Sequence, residues 1–223
     1  MKLLLYTAVP VAALWLAHIA ALVRPPGARA ISLFQHLAAG VVFSAVALEL
    51  VPELREVDSP VAMSLGFLAG VAAMLGLDKV AERSGVVAPI AVDLVIDGML
   101  VAIGFAAGRE GGIVLLVGLT LETAALGLAL APSLQKRGFS RGRIIAIALG
   151  LGLAVWFGAG LGEAMTAASG ALLAAILGFG VAALLYLVTE ELLTEAHEVE
   201  DTSLVTAAFF VGFLVPFLMT FGS

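Results

Sequence analysis

The chain has 223 residues, of which 62% are hydrophobic and 13% are charged, and its mean hydropathy is +1.15. Soluble domains have about 45–50% apolar and about 25% charged residues, and a chain of this length cannot hide the excess in a core. Lipid is therefore the expected surrounding. The net charge of −6 and the lack of a basic patch exclude nucleic acid as an expected partner. Cysteine is absent, which excludes disulfides and thiolate metal sites.

Apolar stretches long enough to cross a bilayer recur along the whole chain. A membrane helix needs about 20 mostly apolar residues. Breaks at charges, Gly, Pro and polar residues predict eight spans, at 3–23, 31–52, 60–77, 87–108, 112–132, 143–165, 169–193 and 203–222. The first stretch is too long for the apolar region of a signal peptide. We expect one all-α transmembrane domain over residues 1–223.

Lys and Arg are unevenly divided between the two sides of this arrangement. Loops after odd-numbered spans hold eight of them, and the other side holds three, Lys2, Arg55 and Arg109. The positive-inside rule places the richer side in the cytoplasm. Both termini are then predicted to lie outside.

Two octamers form a weak internal repeat. Residues 49–56 read ELVPELRE and residues 191–198 read ELLTEAHE, with four identical positions. They end the second and seventh spans, which end on opposite faces of the membrane. This predicts an inverted repeat in a 3+2+3 arrangement, a pattern typical of transporters.

Carboxylates occur inside the predicted spans without Lys or Arg to pair with them. A charge at mid-membrane costs roughly 3 kcal/mol or more, so each one needs a reason. The candidates are Glu49, Asp93, Asp97, Glu122, Glu163, Glu190 and Glu191. A bound cation would supply the missing counter-charge.

Three of these residues are predicted to lie together. The loop 109–112 makes spans four and five antiparallel neighbours, with Asp97 13 residues before Glu110 and Glu122 12 residues after it. A helix rises about 1.5 Å per residue, so both carboxylates lie near the bilayer centre. Asp93 shares a helix face with Asp97 because it is four residues earlier. The alternative is that each carboxyl is protonated and hydrogen-bonded.

The other polar residues allow two interpretations. Glu163, near the outer end of span six, is either a solvated end residue or a further ligand. Four further glutamates near span ends form either solvated acidic faces or parts of an ion pathway. They are Glu49, Glu53, Glu190 and Glu191. His18 and His36 are predicted to be packing or interface residues rather than ligands.

At these positions the sequence resembles the ZIP (Zrt/Irt-like) family of divalent-metal transporters. The similarity covers essentially the whole chain, but each motif is degenerate. The segments that carry it are His36, Ala39-Gly40, residues 49–53 at the end of span two, residues 93–98 in span four, residues 118–123 in span five and residues 191–195 in span seven. The resemblance implies eight spans in a 3+2+3 arrangement with both termini outside.

The same resemblance implies a metal site with fewer ligands than is typical of the family. Asp93 stands where the family has His, and the leading ligands of span five are replaced by Gly118 and Leu119. The implied site is Asp93, Asp97 and Glu122, with Glu163 possible. All-oxygen ligands favour hard ions such as Mg²⁺ or Mn²⁺, whereas the family favours Zn²⁺ or Fe²⁺; Co²⁺ and Cd²⁺ are also candidates. No cofactor is expected.

The family also implies a mechanism and a setting. Spans one, four, five and six would carry the metal past spans two, three, seven and eight in an elevator movement. Glu49 and Glu53 would attract the cation outside, and Glu190, Glu191 and His197 would receive it inside. We expect a multi-pass protein of the cell membrane, and the resemblance implies that it forms a homodimer.

Other classes of function fit the sequence less well. Motifs of intramembrane proteases, including His-Glu-x-x-His, are absent, so an enzyme is not expected. Besides metal transport, three hypotheses stay open. The protein could be a proton transporter, an organic-cation transporter, or a homologue that binds metal without transporting it.

Overall fold

The computed structural model describes residues 2–84, 87–165, 170–199 and 202–219. Over these ranges the chain forms eight long helices and no strand: α1 (Lys2–Val23), α2 (Ala28–Glu56), α3 (Pro60–Ser84), α4 (Val87–Ala107), α5 (Arg109–Lys136), α6 (Arg141–Met165), α7 (Ala171–Ala196) and α8 (Ser203–Met219). Seven of them are long and apolar enough to cross a membrane, and the 17-residue α8 is a shorter apolar helix. The prediction of an all-helical chain is confirmed, and the helices indicate a multi-pass membrane protein.

The outer surface of the helices is apolar. Large hydrophobic side chains are exposed on many helices, and the extreme cases are Val23 (81%), Val61 (73%) and Leu204 (72%). Water-soluble monomers rarely expose continuous apolar surface on this scale. A lipid surrounding explains it, because apolar side chains there face acyl chains.

The helices extend further than the predicted spans. Helix α3 continues to Ser84 rather than 77, α2 reaches Glu56, and α7 reaches Ala196. A span predicted from composition ends where polar, charged or helix-breaking residues follow the apolar stretch. A helix can continue beyond that point, because its backbone hydrogen bonds do not depend on side-chain polarity.

The predicted loop at 109–112 is wrong, because the turn between α4 and α5 lies at Gly108. Helix α5 begins at Arg109, so the residues assigned to the loop form its first turn. Glu110 suits this position, since a carboxylate is favourable near the positive end of a helix dipole. Asp97 and Glu122 are then 11 and 14 residues from the turn, still at similar depth.

Helices α2 and α7 each contain one π-helical segment. The segment in α2 covers Val46–Leu50, and the segment in α7 covers Leu187–Leu192. Each contains the first glutamate of one of the two similar octamers, Glu49 and Glu191. A π turn rotates the residues that follow it relative to an ideal α-helix, and such turns are frequent at functional sites.

The helices pack in two groups of four. In the first group α1 packs on α5 and α6, and α4 packs on α5 and α6. In the second group α3 packs on α7, α8 packs on α2, and α2 contacts α7. The closest packing between the groups is that of α2 on α5. This packing of α2 on α5 is more extensive than that of α1 on α6 or of α4 on α5, so the two groups also share a large contact.

Polar and aromatic contacts join the helices of the first group. The Trp15 indole N–H of α1 donates to the Ala148 carbonyl of α6 at 2.9 Å. The rings of Tyr6 in α1 and Phe105 in α4 stack with centroids 4.8 Å apart. These contacts tie α1 to both α6 and α4, around the helices that carry the buried carboxylates.

Candidate metal centre

Three carboxylates from α4 and α5 meet inside the bundle. One oxygen from each of Asp93, Asp97 and Glu122 can be chosen so that all three lie within 4.8 Å of one another. Asp97 is 4% exposed and Glu122 is 5% exposed, while Asp93 is half-buried. Among the described residues this is the one group of three or more acidic or histidine side chains with that spacing.

The sequence positions these side chains through helix geometry and close packing. Asp93 and Asp97 are one turn apart and share a face of α4. A Cβ at the next residue, Gly98, would overlap the Val155 carbonyl of α6, so only glycine allows α6 to approach this closely. On α5, the hydroxyl of Thr123 lies 3.0 Å from the Pro10 carbonyl oxygen of α1 and 2.8 Å from that of Leu119. Both carboxylate-bearing segments are therefore packed against a neighbouring helix.

The two most deeply buried carboxyl groups, those of Asp97 and Glu122, lie next to each other. Two ionised carboxylates have no donor between them, so a hydrogen bond between these groups would require one proton on the pair. Within the part of the chain that the structure describes, Asp97 Oδ2 is buried without a hydrogen-bond partner. A buried acceptor without a partner costs about 1–3 kcal/mol, which a cation at this oxygen would offset.

Glu191 adds a fourth negative group from the second group of helices. It lies in the π-helical segment of α7 and interacts electrostatically with Asp93, Asp97 and Glu122. Four acidic groups this close repel one another in their ionised forms. Their arrangement favours either protons or a multivalent cation.

The spacing of the three carboxylates fits one small cation. Two oxygens that bind a Mg²⁺-sized ion at about 2.1 Å from opposite sides are about 4.2 Å apart. The observed limit of 4.8 Å is slightly wider. A modest inward movement of the side chains therefore brings all three within binding distance of a single ion.

The remaining predicted residues lie elsewhere. Glu163 is an exposed residue of α6. Its neighbour Gly162 packs against the Met99 backbone of α4, which follows Asp97 in the sequence. Glu163 therefore lies beyond the level of Asp97 and outside the group of three. Glu49 is half-buried beside Gly111 and interacts with Glu110 at the start of α5. Glu53 is half-buried and Glu190 is exposed.

A histidine pair was not predicted from the sequence. The rings of His36 in α2 and His197, just after α7, have centroids 5.1 Å apart. His36 is predicted to be a packing or interface residue, and the family resemblance groups His197 with Glu190 and Glu191 rather than with His36. The two residues are 161 positions apart in the sequence, so no local spacing predicts their contact. The similar octamers gave the only sequence signal that α2 and α7 are related.

A scan of the sequence against protein-family models and a search of curated proteins find no match.

Proposed function

We propose that this protein transports divalent metal cations across a membrane, with the ion held by Asp93, Asp97 and Glu122. The observation that carries the proposal is the meeting of three carboxylates, two of them at most 5% exposed, inside a bundle of apolar helices. Acidic residues inside membrane helices are rare and usually mark an ion or proton pathway. The ZIP-like pattern of the sequence supports the same conclusion.

The helix packing supports a 3+2+3 arrangement with an inverted repeat. Such a repeat relates α1, α2 and α3 to α6, α7 and α8, and α4 to α5. The strong packing of α1 on α5 then corresponds to that of α6 on α4, and the packing of α2 on α8 corresponds to that of α7 on α3. The π-helical segments of α2 and α7 form a third corresponding pair.

Mutual glycine contacts at two crossings add to this support. At the crossing of α2 and α8, a Cβ at Gly40 would overlap the Phe209 carbonyl, and one at Gly212 would overlap the Leu37 carbonyl. Helices α7 and α3 cross with the same pattern, through Gly178 with Met63 and Gly66 with Ala175. In all four helices the glycine follows the contacted carbonyl by three residues, which is consistent with corresponding crossings of a repeat, although α4 and α6 cross with the same spacing.

The two groups of helices are consistent with an elevator mechanism. The first group, α1, α4, α5 and α6, contains the three carboxylates and would move as the carrier. The second group would be the scaffold, and its Glu191 faces the carrier's carboxylates. Glu49 and Glu53 would attract ions at one mouth, and Glu190 and Glu191 would receive them at the other.

The ligand chemistry and charge distribution complete the proposal. Three carboxylates favour hard ions such as Mn²⁺, Mg²⁺ or Fe²⁺ over Zn²⁺, although carboxylates also bind zinc. The excess of Lys and Arg after odd-numbered helices places those loops in the cytoplasm and both termini outside, in the cell membrane. A homodimer is part of the proposal only through the family resemblance.

The test is uptake of Mg²⁺, Mn²⁺, Fe²⁺, Co²⁺, Zn²⁺ and Cd²⁺ into sealed proteoliposomes. We expect uptake of at least one ion, and its loss in an Asp97→Asn/Glu122→Gln double variant. Glu163→Gln is the matched control, since it removes an exposed carboxylate outside the group of three and should leave uptake within about twofold of the unmodified protein. No uptake of any ion by folded protein would reject the proposal. Metal binding without uptake would identify a metal-binding homologue that does not transport.

Proton transport is the second candidate, and the closeness of the buried Asp97 and Glu122 carboxyl groups favours it, because such residues inside membrane helices also mark proton pathways. A pH-sensitive dye inside the same liposomes separates the two functions. Proton flux that needs no metal ion and is lost in the Asp97→Asn/Glu122→Gln variant would support this second candidate.

A further inference from the structure

We infer that the contact between α2 and the end of α7 forms a second metal site, with His36 and His197 as its ligands. This inference does not depend on the three carboxylates, because the histidines belong to the other group of helices. The ions expected there are divalent cations that prefer imidazole, such as Zn²⁺ and Co²⁺.

Backbone carbonyls set the tautomer of both rings. The Nδ1 atom of His36 lies 2.9 Å from the Ser32 carbonyl oxygen, and Nδ1 of His197 contacts the Leu193 carbonyl oxygen. A carbonyl oxygen only accepts, so each Nδ1 carries the proton and each neutral ring has its lone pair on Nε2. Metal-binding histidines typically donate their other ring N–H to a carbonyl or carboxylate in this way.

The buried nitrogen of His36 points to a ligand. His36 is 2% exposed, and its Nε2 atom has no hydrogen-bond partner among the described residues. A buried acceptor without a partner is costly, and few are found in native structures. A metal ion bound at Nε2 would satisfy it.

The distance between the rings fits a shared ion. Two imidazoles that bind one tetrahedral Zn²⁺ through nitrogen at about 2.0–2.1 Å have ring centroids roughly 5 Å apart. The centroids of His36 and His197 are 5.1 Å apart, with the ring planes at 66°. Little movement is therefore needed for both rings to coordinate one ion.

Two further contacts hold the segments that carry the histidines. Ser32 Oγ donates to the Ala196 carbonyl oxygen at 2.8 Å. Gln35 Nε2 donates to Glu195 Oε2 at 2.7 Å, which ties α2 to the end of α7 near each histidine in the sequence. His197 is exposed, which gives an ion access from outside. The remaining coordination positions suit water, as in an exchangeable site.

The location suggests a role in passing the ion along. His197 follows Glu191 by six residues, which is about 9 Å along a helix. An ion leaving the carboxylates would meet Glu191 first and the histidine pair next. If the proposed transport function holds, this second site is its next binding step toward the mouth that α2 and α7 form.

The experiment measures Zn²⁺ binding by calorimetry to the full-length chain carrying Asp97→Asn/Glu122→Gln, which removes the first site. We expect one Zn²⁺ per chain. His197→Gln in this background should weaken binding at least tenfold, the minimum that loss of even a supporting group typically costs. His18→Gln is the matched control, since His18 is equally buried but lies in α1, and it should leave the Kd within twofold.

Two results would overturn the inference: no Zn²⁺ binding in the Asp97→Asn/Glu122→Gln background, or an unchanged Kd after His197→Gln. The exposed position of His197 makes its substitution safe for folding, so the inference does not rest on the buried His36 alone. Replacement of bound Zn²⁺ by Co²⁺ should give the visible absorption of a nitrogen-coordinated ion, lost in His36→Gln. Mn²⁺ uptake by the intact chain tests the transport proposal separately.

Discussion

Asp97 and Glu122 lie so close together that a proton shared between them would compete with a metal ion. A cation that binds both carboxyl groups must displace such a proton, because metal ligation requires the ionised carboxylates. We predict that Mn²⁺ binding releases about one proton per ion. Calorimetric titration of the purified protein in two buffers of different ionisation enthalpy measures this number.

The matched variant for this prediction is Asp97→Asn, whose amide can donate a hydrogen bond to Glu122 without a transferable proton. It should bind Mn²⁺ more weakly and release no proton from this pair. Equal heats in the two buffers for the unmodified protein would show that the pair holds no displaceable proton.

Two adjacent glutamates of α7 should differ sharply in their effect on the ion. Glu191 interacts with all three carboxylates, whereas Glu190 is exposed. We predict that Glu191→Gln weakens Mn²⁺ binding by roughly tenfold, since loss of about 1.4 kcal/mol of attraction changes the affinity by that factor. Glu190→Gln should change it by less than about twofold. Equal effects of the two substitutions in a binding titration would contradict this placement of Glu191.

The packing of α4 on α6 depends on glycine. A Cβ at Gly98 would overlap the Val155 carbonyl, so Gly98→Ala must push the helices apart. We predict a loss of about 1–3 kcal/mol in stability, as overpacking usually costs, together with weaker Mn²⁺ binding because Asp97 moves with α4. Thermal unfolding in detergent and a binding titration test both parts.

Gly150→Ala is the control for that prediction. Gly150 lies inside α6, and nothing lies within 4 Å of a Cβ placed on it. Alanine there should leave stability unchanged or raise it by up to about 1 kcal/mol, because alanine favours the helix. A similar loss at both glycines would mean that helix propensity rather than packing determines the result.

The presence of the helices and the similar depth of Asp97 and Glu122 could be predicted from the sequence. Both depend only on how residues are spaced along one segment of the chain. The apolar runs gave the eight helices, and counting from the turn placed Asp97 opposite Glu122. The turn itself was misplaced by a few residues, since glycines allow either a loop or the first turn of a helix.

Other features could not be predicted because they arise between distant segments. The π-helical segment that contains Glu191 is a local change of helix geometry that the spacing of apolar residues did not predict. The contact of His36 with His197 depends on how α2 crosses α7. The exposure of Glu163 depends on which face α6 presents to α4. None of these follows from spacing within a single helix.

The contact between the two groups of helices is close on one side and loose on another. Helix α5 of the first group packs closely on α2 of the second. On another side, an apolar gap of about 320 Å³ lies between α4 and α6 of the first group and α3 and α7 of the second, lined by residues such as Met99 and Phe179. Apolar surfaces without polar contacts can slide, as movement of one group past the other would require.

A disulfide between α2 and α5 tests whether such movement is needed for transport. A Cβ at Gly118 would lie 3.1 Å from Val42 Cγ2, and Val42→Cys can place its sulfur near the position of that atom, which suits a disulfide. The chain has no cysteine, so Val42→Cys/Gly118→Cys introduces the sole thiol pair. We predict that oxidation abolishes Mn²⁺ uptake into proteoliposomes and that a reductant restores it.

Each single-cysteine variant, treated with the same oxidant, controls for side-chain changes, because neither can form the crosslink within one chain. Both should keep the uptake rate of the untreated protein. Uptake by the crosslinked protein at the rate of its reduced form would show that α2 and α5 keep their contact throughout transport. The ion would then have to cross between fixed helices, and the uneven contact of the two groups would describe a channel rather than a moving carrier.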